Sequence, residues 1–63
     1  MNAKTMKHEI SYAVDKMRSG VSGGDIAPHL AALIAKSYHC GLEEACKVAC
    51  EIVELAYVAI KAK

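Results

Sequence analysis

The sequence predicts an all-α fold, an N-terminal amphipathic helix followed by an antiparallel helical hairpin. Three observations carry this. Apolar residues recur at three- and four-residue spacing on both sides of a single break. The break, Ser19-Gly20-Val21-Ser22-Gly23-Gly24, is the one glycine- and serine-rich stretch in the chain. Beyond it, the segment from Leu42 to Lys63 carries far more apolar surface than one stripe.

The elements follow in order. Met6, Ile10, Ala13, Val14 and Met17 share one face, so residues 3–18 are expected to form the first helix. Residues 19–24 are its glycine–serine linker. Asp25 is placed to cap a second helix over 25–40, with Pro28 in the first turn, where a missing amide hydrogen costs nothing. Ile26, Leu30, Leu33, Ile34 and Tyr38 form its expected buried stripe, with Ala27, Ala31 and Ala35 alongside. Gly41 is expected to end this helix with a positive φ. A third helix then spans 42–61, and so short a connection folds 25–61 into an αα-hairpin. The whole chain, 1–63, reads as one helical domain.

The third helix suggests function. At 100° per residue, Glu43, Glu44, Lys47, Glu51, Glu54 and Lys61 crowd into an arc of roughly 100°, shared only with Val58. The remaining two-thirds of the circumference is apolar and needs cover. A second copy of the chain is the expected source, two hairpins packing into a four-helix core of a dimeric or higher bundle. Ala49, Val53, Ala56 and Ile60, with Tyr57 at the edge of the arc, are the expected oligomer interface. The competing arrangement is a monomeric three-helix bundle, and the breadth of that arc is the objection to it.

Composition narrows the function classes. Eight basic and seven acidic residues give no global attraction to nucleic acid or membrane. No apolar run follows the N-terminal residues as a secretory signal would require. The longest uncharged stretch, Ile26 to Ala35, is about half the length that spans a bilayer. Three cysteines, an odd number, read as reduced thiols. The expectation is a cytoplasmic protein with no membrane partner.

The residues that could carry chemistry are few. His39, Cys40, Cys46 and Cys50 offer soft ligands, but no two cysteines stand at the tight spacing of structural zinc sites. Cys46 and Cys50 are instead expected to pack as small apolar residues at a helix contact. No metal or cofactor is expected. A thiolate nucleophile would need a positioned base, and adjacent His39 and Cys40 would point about 100° apart on a helix, so no enzyme is expected. A helix-turn-helix reading fails at Leu42-Glu43-Glu44, which would meet phosphates with negative charge. The better nucleic-acid candidate is a basic face on the first helix formed by Lys4, Lys7 and Arg18, with Ser11 and His8. Nucleic acid is the less favoured partner.

The run from His8-Glu9-Ile10-Ser11-Tyr12 through Gly24-Asp25-Ile26-Ala27-Pro28-His29-Leu30 to Tyr38-His39-Cys40-Gly41, at this length, resembles the short early proteins encoded in the exo–xis region of lambdoid bacteriophages. That resemblance implies a small accessory protein made early in infection, in the host cytoplasm. It further implies an influence on the lysis–lysogeny choice and the host cell cycle. It transfers no residue-level roles. The functional expectation is a non-enzymatic regulatory protein that self-associates and binds a host or phage protein. The alternative is a DNA-associated regulator using the basic face of the first helix.

Overall fold

The computed structural model describes residues 2–62, which are helical apart from short turns and contain no strand. Three α-helices follow a single 3-10 turn at Ala3–Thr5: α1 Lys7–Arg18, α2 Gly23–Tyr38 and α3 Leu42–Lys61.

The first expected helix is in fact two pieces. The Asn2 carboxamide accepts the Lys4 amide at 3.0 Å, and the Thr5 hydroxyl donates to the Asn2 carbonyl at 2.9 Å. These local bonds hold a tight turn that competes with the α-helix. Met6 then leaves helical geometry (φ −88°, ψ 69°) before α1 begins. The bend lets both Ala3 and Met6 bury their side chains. At its other end α1 stops at Gly20, whose φ of 94° only glycine adopts cheaply. The Gly20 and Val21 amides return to the Met17 and Lys16 carbonyls at 3.0 Å each.

α2 begins at Gly23, two residues before the expected start, and Ser22 occupies the extended cap position. The Ser22 hydroxyl donates to the Asp25 carboxylate at 3.1 Å, so Asp25 stabilises the first turn from inside the helix. The left-handed residue that ends α2 is His39 (φ 53°, ψ 42°), not Gly41. Gly41 is extended (φ −71°, ψ 155°) and opens α3, whose bounds agree with the sequence reading.

α3 is the hub, with α2, α1 and the 3-10 turn all packed on it. Gly23, at the start of α2, lies against Val53 and Tyr57 near the end of α3, so these helices run antiparallel. The core joins Ile26, Leu30, Ala31 and Ile34 of α2 to Ala45, Val48, Ala49, Ile52, Val53 and Ala56 of α3. Ala13 of α1, Ala3 and Met6 close it. Ile26, Leu30, Ile34 and Ile52 are its largest fully buried side chains, each worth about 1.5–3 kcal/mol relative to exposure.

This packing corrects the expected interface. Ala49, Val53 and Ala56 are buried within a single chain, so much of the cover sought from a second copy comes from inside the molecule. Alanines on facing elements allow this: Ala3 and Ala13 approach α3 closely where larger side chains would hold them off. Ile60 is half-buried and Tyr57 exposed. Two members of the expected α2 stripe, Leu33 and Tyr38, are each 44% exposed, while Ala31 is buried in their stead.

Candidate functional site

α1 covers only one side of the α2–α3 pair. On the wheel of α3 the buried arc runs from Val48 through Ile52 and Ala56 to Val53, and the next positions round the helix are Cys46, Tyr57 and Cys50. These three lie on the exposed flank, Tyr57 at 49%. Cys46 and Cys50 are therefore not packed at a helix contact as expected. They point away from the side on which α1 lies.

Across from them α2 contributes only small or cyclic residues. Gly24, Ala27 and Pro28 complete, with Cys46 and Cys50, an open hollow of about 270 Å³ between the two helices. No charged side chain lines it. Two turns beyond Cys50 along α3, Tyr57 continues this uncharged side past Gly23, which is itself buried beneath Val53 and Tyr57. Small residues opposite a ridge of larger ones form a shallow slot, a shape suited to an inserted helix side chain or aromatic ring. The wheel positions of Cys46, Tyr57 and Cys50 were visible in the sequence. Which side of the pair α1 would leave open was not.

The three basic residues lie on two elements. Lys4 belongs to the 3-10 turn and lines a separate groove of about 310 Å³ with Asn2, Glu51, Glu54, Leu55 and Val58. Lys7 and Arg18 are the first and last residues of α1, roughly 16 Å apart along the helix axis. The chain bends at Met6, between Lys4 and Lys7. Lys16 is occupied otherwise, its ammonium 5.6 Å from the centre of the Tyr12 ring.

Among the described residues, one side-chain hydrogen bond crosses between helices. The Tyr38 hydroxyl, at the end of α2, donates to Glu9 Oε2 in the first turn of α1 at 3.4 Å. Loss of water around the phenol, then the Glu9 charge, then this bond hold its pKa above the ordinary 10.0. All three thiols are free, with Cys40 half-buried in the connection between α2 and α3. Among the described residues, no three histidine, cysteine or acidic side chains converge as metal ligands. Nor is any of their helices long and apolar enough to cross a membrane.

Comparison of the chain with protein-family models, curated proteins and solved structures finds no match in any of the three.

Proposed function

We propose that this chain is a small non-enzymatic regulatory protein that acts by docking another protein on the open face of the α2–α3 pair. The observation that carries the reading is the uncharged strip of Cys46, Cys50 and Tyr57 beside the slot at Gly24, Ala27 and Pro28. Exposed apolar strips flanked by charged surface mark protein-docking sites. Here Glu43, Lys47 and Glu54 flank the strip on the exposed side of α3. A tyrosine at its end fits the composition of such contacts, since it combines large area with a polar tip.

Self-association belongs to the same reading. Two α2–α3 hairpins meeting through this face form a four-helix core, with Tyr57 and Ile60 at the contact and each α1 on the outside. The resemblance to short exo–xis region proteins supports a setting in the cytoplasm of an infected bacterium. In that setting, the docked protein is a host or phage factor that bears on the lysis–lysogeny choice and the host cell cycle.

The test is capture from bacterial lysate with the wild-type chain and with Tyr57→Glu, paired with a mobility-shift titration at two salt concentrations. A specific captured protein, lost with Tyr57→Glu, is the expected outcome. Sequence-specific DNA binding that weakens steeply with salt and disappears on charge reversal of Lys4, Lys7 and Arg18 would replace this reading with a nucleic-acid one.

A further inference from the structure

We propose that Cys46 and Cys50 form a two-coordinate site for one soft monovalent cation of the copper(I) class. Cysteine is among the residue types most often fully buried, yet both of these thiols are free and exposed on the same flank of α3. They stand one helical turn apart, which sets their Cβ atoms about 5–6 Å from each other. Two metal–thiolate bonds of about 2.3 Å, the length seen with zinc, reach roughly 4.6 Å end to end. A single ion between the two sulfurs therefore fits without unwinding the helix.

The surroundings limit coordination to two ligands. Gly24, Ala27 and Pro28, which complete the hollow, have no side-chain donor. Among the described residues, Cys46 and Cys50 belong to no larger group of cysteine, histidine or acidic ligands, and Cys40 does not join them. Zinc requires four ligands and calcium or magnesium six or more oxygens, so those ions gain little here. Thiolates alone, in a pair, select a soft ion content with linear geometry. Binding forms two sulfur–metal bonds and breaks two S–H bonds, each thiol passing its proton to solvent, with no change in oxidation state. The site needs no docked partner. It also differs from a structural zinc, because the fold closes around the core and not around these exposed thiols.

The experiment is an anaerobic titration of the fully reduced chain, at low micromolar concentration, with copper(I) supplied as its bathocuproine disulfonate complex. One ion per chain and two released protons are expected, with the sedimenting mass unchanged. Cys46→Ser and Cys50→Ser should each weaken binding by more than the ~10–100-fold that changes around a metal's ligands cost, while Cys40→Ser leaves it intact. Moving one thiol by combining Cys50→Ser with Glu51→Cys keeps two exposed thiols but places them about 140° apart on the wheel, and should lose the site equally. Helicity of each variant is read in parallel, since Cys46, Cys50 and Glu51 are exposed but Cys40 is half-buried. Three results would overturn the proposal. They are affinity retained in the moved-thiol variant, dependence on Cys40, or an ion that binds only by joining two chains.

Discussion

A methyl group added at Gly23 would sit 2.9 Å from Val53 Cγ1 and 3.4 Å from Tyr57 Cε2, so the start of α2 meets the end of α3 with no room for a side chain. This approach anchors the end of the helix pair opposite the connection at residues 39–41. Gly23→Ala should destabilise the chain by about 1–3 kcal/mol through overpacking, despite alanine's better helix propensity. Gly24→Ala meets only the Ser22 hydroxyl, at 4.0 Å, and should be neutral or stabilising by up to ~1 kcal/mol. Thermal melts of the two variants check the pair. Val53→Ala combined with Gly23→Ala should recover part of the loss, because the clash is with the valine methyl.

The second prediction concerns the residue that stops α2. His39 holds the left-handed conformation, which costs a residue with a Cβ about 1–2 kcal/mol. His39→Gly should therefore raise stability by about 1 kcal/mol, and urea denaturation measures it. Gly20→Ala should do the opposite, since Gly20 has φ 94° and no neighbouring atoms that a methyl group could gain contact with.

Tyr38 links stability to alkaline pH. In the unfolded chain its phenol titrates near 10.0, whereas in the folded chain desolvation and Glu9 hold it higher. The unfolded state thus loses this proton first. The contribution is fully present below pH 10 and falls as pH rises towards the folded pKa. With Tyr12 and Tyr57 changed to phenylalanine, phenolate absorbance reports Tyr38 alone. Glu9→Gln should move its midpoint down towards the ordinary value; an unchanged midpoint would mean that Glu9 has no part in the shift.

Charge placed on different parts of α3 should have different consequences. Ala49 and Ala56 are completely buried within the chain, so Ala49→Glu or Ala56→Glu leaves an unpaired charge in the core and should cost several kcal/mol. Circular dichroism should show loss of helix in these variants. Tyr57→Glu lies on the surface and should keep the full helical signal. Equal loss of structure in both kinds of variant would contradict the division of α3 into a buried arc and an open flank.

The sequence revealed the number of helices and the extent of α3, because apolar spacing and the glycine break act locally. It missed features decided by competition or by tertiary packing. Asn2 and Thr5 divert the first residues into a 3-10 turn through their own side-chain bonds, and no apolar periodicity records that. His39 takes the left-handed position although glycine, two residues on, is the better candidate on propensity. The broad apolar arc of α3 signals a need for cover, and much of that cover lies within the chain. Its coverage by Ala3, Met6 and Ala13 could not be read from it, because those residues look unremarkable in their own segment. Cys46, Cys50 and Tyr57 are adjacent on the wheel in the sequence, but only the position of α1 shows that their side is the open one.

The docking account is tested most directly by sedimentation of the wild-type chain and of Tyr57→Glu at high micromolar concentration. The account predicts a wild-type mass at least twice that of the 6.7 kDa chain, and a Tyr57→Glu variant that sediments as a monomer with unchanged helicity. A wild type that stays at the single-chain mass across that range would contradict self-association through the open face.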